Sequence, residues 1–209
     1  MGLISLLFKE PIAFFILVIP LIYSVIIHEV AHGWVAYFFG DDTAKHSGRL
    51  SLNPVRHFDP MGMLMLFIVG FGWAKPVPVN YYNLKNFRIG LIFVSLAGCL
   101  ANIIIAAVAI FLLQFQYVTS NTIIVSILVV LAKVNIILGA FNLIPIPPLD
   151  GSKILMGFLP KEAQWRLARL EPYGFFILII LLFTGLLDPV IIFVQNMILL
   201  LISAVVPKI

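Results

Sequence analysis

The sequence predicts an all-α polytopic membrane protein with about five transmembrane helices, a re-entrant hairpin and a short β segment. Three observations carry this prediction. Hydrophobic residues make up 62% of the 209-residue chain and charged residues only 11%, against roughly 25% charged in a soluble domain. The mean hydropathy is +1.14. The apolar residues also fall in long continuous runs rather than in alternation, which excludes a β-barrel. This composition excludes a cytosolic enzyme, a disordered chain and a nucleic-acid reader. The net charge of +4 reads as Lys and Arg gathered on one face of a bilayer.

Residues 11–28 carry no charge and residues 30–40 carry none either, so 11–39 reads as one long helix interrupted chemically only by Glu29. Residues 60–74 (PMGMLMLFIVGFGWA) are apolar but only 15 long, with four glycines or prolines. A run this short reads as a re-entrant or interfacial segment rather than a span. Residues 74–80 (AKPVPVN) alternate Pro and Val, which disfavours helix and suits either an extended edge strand or, equally, a rigid proline-rich loop that only connects hairpin to helix. In such a strand Pro76 and Pro78 remove donors from one edge, while Val77 and Val79 keep theirs on the other, competent to pair with an added substrate strand. The 44-residue run 89–132 lacks charge and has a polar middle, QFQYVTSN, at 114–121. It splits into spans at about 90–113 and 122–143. Asp188-Pro189 is a turn signal between two further apolar stretches, 172–187 and 189–207.

With 60–74 re-entrant, 11 of the 13 Lys and Arg, from Lys45 to Lys208, share one side. The positive-inside rule makes that side cytoplasmic, with the N-terminus outside and the C-terminus inside. No A-x-A-like site follows Lys9 and its apolar run, so a cleaved signal peptide is not expected. A single cysteine, Cys99, allows no internal disulfide and no Cys-based zinc site. The chain reads as one domain, 1–209, with a catalytic core at about 11–155 and a C-terminal helical hairpin at about 172–206.

Ionisable groups inside a span are costly and are functional candidates by default. Here they form His28-Glu29-Val30-Ala31-His32, an H-E-x-x-H. At i and i+4 the two imidazoles share one helix face and can hold one metal, with Glu29 next to the first ligand where it can take a proton from metal-activated water. Zinc needs a third protein ligand. Asp150 supplies it best, in Phe141 to Gly151 (FNLIPIPPLDG), where three prolines break the chain at the end of a span. Broken backbone at membrane depth is tolerated where it lines a site or is buried in protein. Asp59 is a weaker candidate, Asp188 lies on the opposite face, and Asp41 and Asp42 follow the helix too closely. A metal-ion transporter using the same four residues is the rival reading, but it needs a further polar layer that the other spans do not show.

H-E-x-x-H in a first long helix, with N-x-x-P-x-P-P-L-D-G about 110 residues later, resembles the site-2 protease family of intramembrane zinc metalloproteases. Asn53 to Gly62 (NPVRHFDPMG), Ala74 to Asn80 and Ala97 to Asn102 (AGCLAN) resemble its compact bacterial and archaeal branch without a PDZ-like domain. The resemblance covers roughly residues 23–155. It implies one Zn²⁺ per chain held by His28, His32 and Asp150, with Glu29 as general base and Asn142 as a substrate or intermediate contact. It implies cleavage of membrane-spanning protein substrates near the cytoplasmic face, as in regulated intramembrane proteolysis. An inactive, client-binding member is the second rival, against which the intact His, Glu and Asp argue. The chain departs from the family pattern at Cys99, where Pro often follows Ala-Gly, so Asn102 receives no role in the site and reads only as a polar residue for close helix packing. His46 and His57 read as structural or solvated. Lys133 reads as a snorkelling side chain or a partner of Asn135. Trp165, Arg166 and Arg169 read as part of an amphipathic segment at the cytoplasmic surface.

Overall fold

The computed structural model describes residues 3–69 and 72–206. The tip of the expected hairpin at 70–71, and Lys208, lie outside the described residues. A short helix α1 (Leu3–Lys9) leads into α2 (Pro11–Phe38), which starts on a proline placed where no helical N–H is lost. One-turn α3 (Thr43–His46) and a 3₁₀ turn at Pro54–His57 precede α4 (Pro60–Val69). Residues 72–80 are extended, and no strand is present among the described residues. The β segment expected at 74–80 is therefore a single extended strap without a ladder partner.

The next two spans begin where asparagine caps end the preceding loops. Asn86 accepts the Ile89 N–H at the start of α5 (Phe87–Leu112). After the single turn α6 (Gln116–Thr119), Asn121 accepts from Ile123 and Ile124 at the start of α7 (Thr122–Asn142). Pro145, Pro147 and Pro148 prevent α7 from continuing. The chain then enters α8 (Asp150–Phe158), α9 (Lys161–Ala168), α10 (Glu171–Phe183) and α11 (Asp188–Val205).

Helices α2, α5, α7 and α11 are each long and apolar enough to cross a membrane. The fifth expected span, α10, has 13 residues and reaches about 20 Å, short of a hydrocarbon core of about 30 Å. α5 lies at the centre, packed against α2, α7 and α8, with α11 packed mainly on α7. Ala106, Ile136, Ala140, Ile198 and Ile202 knit α5, α7 and α11 together. Leu178 of α10 and Leu187 after it pack on Ile144 and Leu149 of the proline-rich turn. Large apolar side chains such as Phe15, Ile104 and Leu200 point outward, which suits lipid and not water.

Candidate metal centre

The H-E-x-x-H spacing places His28 and His32 on the buried face of α2. They lie ten and six residues before its end at Phe38, roughly 15 and 9 Å along the axis. Asp150 arrives as the first residue of α8 because the proline-rich turn folds back under α7. Gly151 makes this possible: a Cβ there would collide with the Leu143 and Ile144 carbonyl oxygens. The Asp-Gly pair is thus required by close packing against the end of α7. One oxygen of Asp150, Oδ2, lies 3.0 Å from His28 Nε2 and 3.1 Å from His32 Nε2, and the two Nε2 atoms are 3.0 Å apart.

The other ring nitrogens are committed. His32 Nδ1 donates to the Val94 carbonyl at 2.6 Å, and His28 Nδ1 faces Asn102 Oδ1 at 2.6 Å. With Nδ1 carrying the proton in each ring, both Nε2 lone pairs and the carboxylate oxygen face one point. This donor set, two neutral imidazoles and one carboxylate within 4.8 Å of one another, fits the three protein ligands of a catalytic zinc. Gly98 of α5 presses against the cluster from the opposite side. Cys99 Sγ stands 4.0 Å from Asp150 Oδ2 at its edge.

Glu29 is half-buried, and its Oε2 accepts the Val77 N–H at 2.8 Å. The strap lies along α2. The Val77 side chain is buried next to Gly33, where a Cβ would come 2.9 Å from Val77 Cγ1. Val79 packs with the Ala36, Leu84 and Val94 cluster, and the Asn80 N–H donates to Asp41 Oδ2 at 2.8 Å. The donor expected to face an added strand is thus taken at Val77. A carboxylate already in reach is a stronger acceptor than a neutral carbonyl.

Asp41 is fully buried and accepts from Thr43, Asn80 and Asn83. Burial raises its carboxyl pKa, but these hydrogen bonds outweigh that and hold it below the usual carboxylate range. Asn142 donates to the Leu138 carbonyl of its own helix. Asp59 caps α4 through Gly62, and Asp42 pairs with exposed His46. His57 is buried and bonded to the Ser51 carbonyl. Lys133 points outward, whereas Asn135 faces inward to Asn102 and Ser24. They are not partners, because residues two apart in a helix do not share a face. Asn102, which the sequence offers only as a polar residue for close helix packing, holds a histidine of the candidate metal site. The signal available was a lone amide inside an otherwise uncharged apolar span, which must find a partner.

A sequence profile for Peptidase family M50 matches residues 115–185, which include Asp150. YwhC of Bacillus subtilis is 41% identical over 177 residues, covering 81% of this chain and 81% of that protein. Rip2 of Mycolicibacterium smegmatis is 33% identical over 183 residues, covering 83% and 69%. MJ0392 of Methanocaldococcus jannaschii is 31% identical over 147 residues, covering 70% and 35%. Each carries "zinc metalloprotease" in its name. No solved structure gives a significant match. With its buried His-His-Asp cluster set among four span-length apolar helices, the chain belongs to peptidase family M50, as a multi-pass membrane zinc metalloprotease.

Proposed function

We propose that the protein is an intramembrane endopeptidase that cuts membrane-spanning segments of other proteins near the cytoplasmic face of the cell membrane. The observation that supports this reading is the depth of the cluster. His28, His32 and Asp150 converge well inside an apolar helix bundle, where an extended segment drawn from the bilayer, rather than a soluble loop, is the natural occupant. His28, His32 and Asp150 would hold the zinc, whose chemistry when bound would be to polarise the scissile carbonyl and to make water a usable nucleophile near neutral pH.

Glu29 is the general base. Its Oε2 is engaged by Val77, so Oε1 takes the proton and returns it to the leaving amine. The strap at 74–80 delivers the substrate, with Val77 and Val79 on the edge nearest the base. A strand pairing at Val77 must take that N–H from Glu29. Asn142 donates to the developing oxyanion once its bond to Leu138 breaks. Residues 60–74 re-enter from the cytoplasmic side, and α10 with the apolar turn that follows it makes a fifth crossing where the bilayer thins to match its length, leaving the N-terminus outside and the C-terminus cytoplasmic. If 60–74 crossed instead, Asp150 would emerge on the face opposite His28 and His32, and one zinc could not join them.

The test is a pair of variants in purified protein supplied with single-span substrates. Glu29→Gln keeps zinc and loses proteolysis by orders of magnitude. Asp150→Ala loses both. Near-normal cleavage by Glu29→Gln overturns the assignment.

A further inference from the structure

Three polar side chains lie where α2, α5 and α7 meet, each almost wholly shielded: Ser24, Asn102 and Asn135 are 1%, 0% and 0% exposed. None touches the metal position. Their hydrogen bonds form one directed chain with fixed ends. Ser24 Oγ donates to the Pro20 carbonyl at 2.6 Å. Asn135 Nδ2 donates to Ser24 Oγ at 2.8 Å and to the Leu131 carbonyl at 2.8 Å. Carbonyl oxygens only accept, so the nitrogen of Asn135 must point at them and its oxygen at Asn102. Asn102 Nδ2 meets that oxygen at 2.7 Å and leans toward the Ser24 carbonyl at 3.4 Å. The remaining atom, Asn102 Oδ1, faces His28 Nδ1 at 2.6 Å. An acceptor there requires Nδ1 to carry the ring proton, which leaves the lone pair on Nε2.

We propose that Asn135 is a positioning residue for the metal site: by fixing the orientation of the Asn102 amide, it selects the His28 tautomer that can bind zinc. This rests on the assignment of His28 as a ligand and adds to it a residue on α7 that reaches the metal only through two side chains. Without Asn135, only the 3.4 Å contact to the Ser24 carbonyl resists turning over of the Asn102 amide. Its NH₂ would then face His28 Nδ1, and the ring would carry its proton on Nε2, the atom that must bind the metal. The apparent zinc affinity then falls with the fraction of molecules in the competent arrangement.

The experiment measures zinc affinity of the full-length protein in detergent, by competition with a chelating indicator. Thermal unfolding of the metal-free protein is followed in parallel. Asn102→Leu removes the acceptor and weakens zinc by about 10–100-fold, as loss of such supporting partners does. Asn102→Asp keeps the acceptor toward His28 but turns its second oxygen on Asn135 Oδ1, so it retains more affinity than Asn102→Leu and recovers fully only when Asn135 is also replaced. Asn135→Leu weakens zinc about fivefold when Asn occupies position 102. A carboxylate presents an acceptor whichever way it turns, and Asn135→Leu removes the oxygen that opposes it, so in the Asn102→Asp background Asn135→Leu does not weaken zinc.

A merely structural role for Asn135 predicts equal losses in both backgrounds, and that result overturns the proposal. So does unchanged affinity in Asn135→Leu alone. If the leucine variant does not fold, Asn135→Ala, which only empties the site, takes its place with the same expected outcomes. If Asn102→Leu and His28→Ala both leave zinc affinity intact, the ligand assignment fails, which is a separable result.

Discussion

Gly98→Ala adds one methyl group where α5 touches the metal centre. A Cβ at this position would lie 2.5 Å from His28 Cε1, 2.5 Å from His32 Nε2 and 2.6 Å from His28 Nε2. Unstrained contacts between such atoms are about 3.5 Å or more, so the overlap is about 1 Å. The rings cannot yield cheaply. His28 is held through Asn102 and His32 through the Val94 carbonyl. Either a ring swings by about 1 Å or α5 withdraws from α2 by as much. Zinc–ligand distances tolerate about 0.2 Å, and losing a supporting partner alone costs 10–100-fold. Displacing a ligand therefore weakens zinc by more than about 100-fold.

The fold itself suffers less. Ala gains up to about 1 kcal/mol over Gly in a helix, against about 1–3 kcal/mol for overpacking. The metal-free protein should unfold at nearly its usual temperature or a few degrees lower. Gly139→Ala is the control, since its Cβ meets nothing nearer than 3.6 Å; it should keep zinc and lose no stability. The assay is metal content after purification, with zinc affinity by competition and thermal unfolding of the metal-free forms. A Gly98→Ala protein that binds zinc within about threefold of the parent would refute the placement of the ion between these rings.

Val77→Pro removes the N–H that holds Glu29, whereas Val77→Ala keeps it. Cleavage by the proline variant should fall at least tenfold in kcat with zinc unchanged, and a change confined to KM would assign Val77 to substrate binding alone. Asp41 titrates below its unfolded value, so its contribution is present above about pH 4 and lost as pH falls below that. The stability gap between the parent and Asp41→Asn should hold from pH 8 to 5 and close on further acidification; a gap that widens in acid would contradict the bonding at Asp41. A cysteine introduced at Lys85 should be labelled from the cytoplasmic side only, and labelling from outside intact cells would mean that 60–74 crosses the membrane.

The metal motif was legible because its two halves carry their own geometry. Spacing of i and i+4 puts His28 and His32 on one face whatever surrounds them, and three prolines ahead of Asp150 announce broken backbone. The long spans were legible for a similar reason: apolar runs of about 18 or more residues with at most one charge have few other meanings. What lay beyond the sequence was pairing across distance. Asn102 meets His28 across 74 positions and Asn135 meets Ser24 across 111, with no local pattern to signal either. The strap was half legible. Its extended character follows from Pro76 and Pro78, but the acceptor for Val77 comes from a helix 48 residues earlier. α10 was overestimated because apolar composition continues past its end at Phe183, and a helix cannot be distinguished there from the apolar turn that follows.

The amides of Asn102 and Asn135 bear on stability as much as on chemistry. Asn102 and Asn135 are wholly shielded, so either amide left unpaired costs about 1–3 kcal/mol. α2, α5 and α7 avoid that cost only by meeting one another at Ser24, Asn102 and Asn135. The same meeting brings the rings of α2 up against Gly98 of α5 and orients them there. Helix association and the orientation of His28 therefore share one set of hydrogen bonds. Substitutions that loosen the helix contacts at this level should lower zinc affinity even where no ligand is touched. Equal-sized apolar changes in the Ala106, Ile136 and Ile198 layer should alter stability with zinc affinity preserved. That contrast distinguishes a site held by three helices in common from one preformed on α2 alone.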